Sequence, residues 1–167
     1  MAAQQALFDR ISESIGEGRV EWLGVRPERR QPMHPLQEAY AIEALGLESD
    51  RRCHSRPGSA RQITLINAEH LELVAKWLDR SEIDPSLVRR NIVVSGVNLQ
   101  ALRHQHFAVG EAILLGTALC HPCSRMDENL GVGGHAAMLG HGGLCAKVIQ
   151  PGLIKLGDAV RRLEVLV

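Results

Sequence analysis

From Asn91 onward the chain is a succession of short apolar runs broken by glycines, with little room for a long helix. The strand candidates are residues 92–95, 107–109, 112–117, 146–149, 153–156 and 159–166. Short strands at close spacing with glycine turns favour a small closed barrel over an alternation of strands and helices. An internal echo supports a closed antiparallel sheet. Val109, Gly110, Glu111, Ala112 and Ile113 match Leu156, Gly157, Asp158, Ala159 and Val160 in character, each a turn glycine followed by an acid and a new strand. The expected fold is mainly β, a β-barrel with a few flanking α-helices.

The first half adds the helices. Leu7, Ile11 and Ile15 recur at steps of four, which predicts a short amphipathic helix lying on the outside of the main domain. Gly16 and Gly18 end it, so residues 1–18 form a helical extension and residues 19–167 the barrel domain. Residues 20–25 read as a first strand and 26–35 as a polar, proline-bearing connection. Residues 48–59, rich in Arg, Ser, Gly and Pro, read as an exposed loop. With Arg51, Arg52, His54, Arg56 and Arg61 this region is locally basic and suited to an anionic ligand. After a strand at 62–66, Asn67 is placed to cap a helix with Glu69 in its first turn. Leu71, Val74, Ala75 and Leu78 then form a one-sided apolar stripe, and Asp84-Pro85 marks a turn.

A length of 167 residues suits one domain around one core, and aromatics at 3% make that core aliphatic. Lys plus Arg equal Asp plus Glu at 19 each, so the balance points to no nucleic-acid or anionic-membrane partner. No stretch approaches the roughly 20 apolar residues of a membrane span. Residues 1–20 carry Asp9, Glu13 and Glu17 and do not read as a secretory signal. The expected location is the cytoplasm, where Cys53, Cys120, Cys123 and Cys145 stay reduced and are metal-binding, catalytic or buried.

The stretch 120–143, CHPCSRMDENLGVGGHAAMLGHGG, has no clear period and concentrates Cys, His, Arg, Asp, Glu and Gly. Reactive side chains on flexible backbone belong on a loop carried by a rigid scaffold, which places the working end of the barrel here. Three readings of Cys120-His121-Pro122-Cys123 compete. A thioredoxin-like redox pair needs its first cysteine at a helix N-terminus in a βαβ frame, and Pro122 with the following glycines indicates no helix. A zinc site from Cys120, Cys123, His135 and His141 departs from the usual ligand spacing. Burial as small hydrophobes suits Cys120, which continues the apolar run 117–119. Cys123 lies beyond Pro122 beside Arg125, where a cation favours a thiolate, a good ligand for a soft or redox-active metal.

The sequence resembles the MOSC domain, the module at the C-terminus of molybdenum-cofactor sulfurases and in stand-alone bacterial proteins. The matching segments are residues 61–70 (RQITLINAEH), 89–96 (RRNIVVSG), 109–117 (VGEAILLGT), 120–131 (CHPCSRMDENLG), 141–143 (HGG) and 157–160 (GDAV). The resemblance implies a distorted barrel of the MOSC and pyruvate-kinase-barrel type, carrying a molybdenum cofactor (molybdopterin) or a sulfur atom on Cys123. Arg89 and Asn91 match a cofactor-contacting Arg-x-Asn stretch, and an arginine fork with a polar amide suits the phosphate of an anionic pterin. Two departures stand out. Leu139-Gly140 replaces an arginine expected before His-Gly-Gly, and Ser49 stands where the family tends toward glycine.

The resulting expectation is a molybdenum-cofactor-binding protein acting in reduction of N-hydroxylated compounds or in sulfur transfer. Cys123 is the metal or sulfur ligand, Arg61, Arg89 and Asn91 hold the anionic tail, and Arg125, Asp127 and His141 line the substrate side. His141, between Gly140 and Gly142, is the histidine best placed for a site role. The alternative is a non-catalytic carrier of cofactor or persulfide. Expected partners are the anionic pterin, an electron-donor or sulfur-donor protein and, with the oligomeric state open, a second copy in a homodimer.

Overall fold

The computed structural model describes residues 1–164. In chain order the elements are α1 (Ala2–Ser12), β1 (Gly18–Val25), β2 (His34–Leu36), β3 (Glu38–Ile42), β4 (Gly46–Leu47), β5 (Ile63–Asn67), α2 (Ala68–Trp77) and β6 (Ile92–Ser95). They continue with β7 (His106–Val109), β8 (Ala112–Leu119), α3 (Arg125–Leu130), α4 (Gly134–Met138), β9 (Leu144–Gln150), β10 (Gly152–Lys155) and β11 (Ala159–Arg162). Short 3-10 turns at Arg51–His54, Pro85–Val88 and Leu99–Leu102 complete the set.

Seven strands close into a barrel in the order β11-β7-β8-β9-β5-β6-β1, with β1 returning to β11 through Gly18↔Val160. Strand β2 extends β1, and β10-β3-β4 forms a small second sheet. The two halves of the sequence echo are neighbours: Val109 pairs with Val160, and Gly110 and Gly157 both turn with positive φ. The barrel is antiparallel except at β5–β6, which are parallel. A parallel pair needs a long crossover, and α2 supplies it as a single βαβ unit inside the barrel.

Two apolar clusters follow from this wrapping. Residues such as Leu23, Leu65, Ile92, Phe107, Leu114 and Leu144 fill the barrel interior. Ile66 and Val93, one residue out of phase, face outward and are covered by α2, α3 and α4 through Val74, Met126, Leu130 and Met138. Coverage on both faces explains why every residue of β5 is buried, as parallel-paired strands usually are. Each core leucine removed from water contributes about 1.5–3 kcal/mol.

Several elements differ from the sequence expectation. Strands β2, β3 and β4 lie in the polar stretch after β1, where three short segments offer too little periodicity to read. The end of the expected strand 159–166 falls outside the described residues. Leu7 and Ile11 of α1 are exposed, and the helix is held instead by Phe8 against His104 and by Asp9 accepting from Gln105. Asn67 occupies the N-cap position of α2 but makes no cap hydrogen bond. Its amide turns inward, donating to the carbonyls of Val94 and Val97 and accepting from the Leu99 N–H, which ties the end of β5 to the turn after β6. The stretch 120–143 contains two helices, α3 and α4, each too short to show a period in sequence.

Candidate functional site

The outer face of the barrel carries a polar row where an apolar one would be expected. Across adjacent strands it runs from Gly24 on β1 through Asn91, just before β6, and Thr64 on β5 to Cys145 on β9. A β-bulge between Gly116 and Ala118 extends it: Gly116 opposes Ala146 of the interior set, whereas Ala118 opposes Cys145. The extra residue shifts the side-chain phase, so Ala118 and Cys120 join Cys145 on the outer face.

Asn91 and Asp50 anchor this row. The Asn91 carbonyl accepts from Arg26 Nη2 at 3.0 Å and from the Thr64 N–H and hydroxyl at 3.1 Å. Its amide donates to the Gly24 carbonyl and, at 2.9 Å, to Asp50 Oδ2. Both amide protons and the carbonyl are thereby used inside the protein. Asn91 is thus held as part of the scaffold, with both amide protons committed inside the protein. Asp50 also accepts from the backbone N–H groups of Arg26 and Arg52 and ion-pairs with Arg26 at 3.1 Å. Burial raises the Asp50 pKa, but the Arg26 guanidinium and these hydrogen bonds outweigh it, and the carboxyl ends below its ordinary 3.8.

Above the row lies an arginine cluster. Arg52 is pushed below its usual pKa by burial and by Arg61, Arg26 and Arg51. Arg89 is pushed down by burial and by Arg26, Arg125 and Arg51. Among the described residues the ion pairs are Arg26–Asp50 and Lys155–Glu38, so one carboxylate serves this whole group. The guanidinium Nε atoms of Arg51, Arg52 and Arg61 are buried without a hydrogen-bond partner. Crowded, under-neutralised guanidinium groups with unused donors form a strong attractor for a polyvalent anion. Arg89 reaches into this zone from a left-handed backbone conformation, φ 60°, and its Nη1 donates to the Gln31 carbonyl. Ser49 stands at φ 66°, so the loop keeps the left-handed turn that a glycine would take there without strain.

The 120–143 stretch is tied to this cluster by Arg90. Its side chain, 4% exposed, donates to the carbonyls of Gly142 at 2.7 Å, Val88 at 2.7 Å and Cys120 at 3.4 Å. Gly142 has no room for a side chain: a Cβ would strike the Cys120 carbonyl and lie 3.0 Å from Pro122. The glycine after His141 therefore makes space for the chain itself. Cys123 is exposed and lies one residue before the Ser124 N-cap of α3, its carbonyl accepting from the Met126 N–H at 2.9 Å. Arg125, beside it, is close enough to Arg89 to perturb it.

Two other expected site residues have structural partners. Asp127 Oδ1 accepts from the His135 N–H at 2.9 Å and so caps α4. The His141 ring lies 4.8 Å from that of His70 and 5.2 Å from that of Trp77, so it packs on α2. Sequence reading assigned nothing to His70, yet it borders a cavity of about 370 Å³ with Asn67, Glu69 and Asn98. Leu139 projects to solvent. Among the described residues no group of three His, Cys, Asp or Glu side chains is placed to hold a metal. Cys120, Cys123, His135 and His141 thus do not assemble a zinc site.

The structure is a closed seven-stranded barrel with a cluster of arginines around Asp50 and an exposed thiol at Cys123. The MOSC domain model matches residues 50–161, and the chain belongs to the MOSC domain family. The fold is also that of the YuaD protein of Bacillus subtilis, with TM-score 0.73 and 19% identity over 88% of this chain and 96% of that one. YiiM of Geobacillus stearothermophilus aligns with TM-score 0.70 and 15% identity, covering 88% and 75%. YiiM of Escherichia coli aligns with 0.65 and 17%, covering 89% and 71%. Among curated proteins none matches the sequence. The family is associated with the molybdenum cofactor. The orphaned Nε atoms of Arg51, Arg52 and Arg61 and the exposed Cys123 thiol fit the two demands of that group, phosphate donors and one soft ligand.

Proposed function

We propose that the protein binds an anionic pterin cofactor carrying molybdenum, with Cys123 as the soft ligand, and acts in reduction of N-hydroxylated compounds or in sulfur transfer. The observation that supports this most is the arginine cluster with one carboxylate and three buried, unpartnered Nε donors. In this reading Arg51, Arg52 and Arg61 hold the phosphate, with Arg89 at the edge of the cradle. Arg26 is committed to Asp50 and Asn91, and it keeps the cradle floor rigid. Arg90 fixes the loop that presents Cys123, and Arg125 faces the substrate side. When bound, the cofactor supplies two-electron chemistry at the metal. The protein's own part is to orient it, shield its phosphate from water and present one thiolate.

Elemental analysis of the protein purified from cells that make the cofactor tests this. Stoichiometric molybdenum that is lost in Cys123→Ser is the expected result, and no molybdenum in either protein refutes it. Steady-state reduction of an N-hydroxylated base with an external electron donor then establishes turnover. The exposure of Cys123 also suits a carrier of persulfide sulfur. Cyanide-releasable sulfur on Cys123 without turnover is the signature of that second role. A sulfur-donor or electron-donor protein is the partner each role requires, in the cytoplasm where thiols stay reduced. No helix among the described residues is long and apolar enough to cross a membrane.

A further inference from the structure

Where the 139–143 loop meets α2, two histidines stand together that the proposed chemistry leaves unused. The His70 ring on α2 lies 4.8 Å from the His141 ring, with 64° between their planes. Trp77, two turns further along α2, stands 5.2 Å from His141 and is 55% exposed. Hydrogen bonds hold the loop at this spot: the His141 N–H donates to the Met138 carbonyl at 2.9 Å, and Gln100 Nε2 donates to the Gly140 carbonyl at 3.0 Å. In both histidines Nδ1 is buried and has no hydrogen-bond partner. Edge-to-face packing accounts for the ring spacing. It leaves the two nitrogens unpaired, and buried polar atoms without partners call for a donor or a cation.

We infer that His70 and His141 together bind one divalent transition-metal ion of the zinc or nickel kind, through Nδ1 of each ring, and that the ion fastens the 139–143 loop to α2. Each neutral imidazole keeps its proton on Nε2 and gives the Nδ1 lone pair to the metal. An imidazole nitrogen binds such an ion at about 2.0–2.1 Å, which puts the ring centre about 3.2 Å from the metal. At bond angles between about 90° and about 109°, two such centres lie about 4.5–5.2 Å apart. The observed 4.8 Å falls inside that range. Both residues are half-buried, so small ring rotations admit the ion.

The surroundings suit a hydrated cation. His70 borders a cavity of about 370 Å³ with Asn67, Glu69, Gly96, Val97 and Asn98, which gives room for the waters that complete the coordination. The Glu69 carboxylate lines the same cavity and accepts from the Gly96 N–H at 2.7 Å. Among the described residues no cation pairs with it, so its charge is left to offset that of an ion beside His70. The donor set selects the metal: imidazole suits zinc, nickel and copper, whereas magnesium and calcium take oxygen ligands. Two protein ligands leave coordination positions open, as in sites that exchange water or a small anion and unlike closed structural ones.

The test uses the full chain, without a histidine tag, carrying Cys53→Ser and Cys123→Ser so that no accessible thiol competes for metal. Calorimetric titration with zinc at neutral pH should give one ion per chain, and Tm should rise with zinc concentration. Nickel, which quenches indole emission at short range, should dim Trp77, and Trp77→Phe should remove that quenching while zinc still binds. His70→Asn and His141→Asn should each lower zinc affinity at least about tenfold, because even the outer partners of metal ligands are worth about 10–100-fold. Their urea midpoints without metal check that both variants fold. No saturable zinc binding overturns the proposal, as does zinc held equally well by either variant. With both histidines in place, nickel bound without any change in Trp77 emission overturns it too. Molybdenum content enters none of these readouts, so the outcome is independent of the proposed function.

Discussion

Replacing Asp50 with alanine is the sharpest perturbation the site offers. Asp50 is 1% exposed and its partner Arg26 is 5% exposed at the side chain, so solvent screens this pair little. Alanine leaves the Arg26 guanidinium buried among Arg51, Arg52 and Arg89 with the Asn91 carbonyl as its remaining side-chain acceptor. Breaking one side of a buried ion pair costs about 3–5 kcal/mol. The Arg52 N–H and one Asn91 amide proton also lose their acceptor, which places the expectation toward the upper end of that range. For a domain of this size, about 2–4 °C of Tm accompany each kcal/mol, so Tm should fall by roughly 6–20 °C. Urea unfolding should show the midpoint lowered with the slope unchanged.

The same reasoning makes a second demand. An anion among the arginines can replace the missing carboxylate, so inorganic phosphate should stabilise Asp50→Ala more than wild type. At a hundred times its dissociation constant, phosphate stabilises by about 2.7 kcal/mol. A stability loss below about 1 kcal/mol, or a phosphate response no larger than that of wild type, would refute the account of Asp50 as the cluster's counter-charge.

Two further outcomes follow from other parts of the site. Gly142→Ala drives a Cβ into the Cys120 carbonyl and so moves both ends of the loop that Arg90 clamps; overpacking of this kind costs about 1–3 kcal/mol, and phosphate affinity should drop with it. Unchanged phosphate affinity would separate the loop from the cradle. Acidification should weaken the fold in two windows, each readable from urea midpoints. Burial and His141 hold the His70 pKa below 6.5, Glu69 opposing, so the unfolded chain takes up the proton first and stability declines as pH falls below 6.5. Asp50, held below 3.8, contributes stability that is fully present above that value and is lost as pH falls through its lower folded pKa. His70→Asn should flatten the first window and leave the second.

The glycine-broken apolar runs after Asn91 were enough to indicate a mainly β barrel, because period-two alternation and turn glycines are local properties of the chain. The stripe Leu71, Val74, Ala75 and Leu78 likewise declared α2, and residues 48–59 with Arg61 declared themselves basic, although Asp50 proves buried and Arg51, Arg52 and Arg61 half-buried where an exposed loop was expected. Strands β2 to β4 were not legible, since two to five residues carry too little pattern. The helices α3 and α4 were hidden for the same reason, and α1 carried an apolar stripe that the fold leaves facing out.

The opening of the 120–143 stretch is legible as a loop, and Cys123 on it is exposed. The remainder of the site was decided by the tertiary structure alone. Asn91 is held in the scaffold because strand pairing surrounds its amide with Gly24, Thr64, Arg26 and Asp50. Arg90, one residue from Arg89 in sequence, points the other way and is buried. Cys120 and Cys145 lie far apart in sequence, and a single bulge brings them to one face. Local pattern determines which segments become strands and helices. Which polar groups end up sharing a dry face depends on register and closure, and those are set only when distant strands meet.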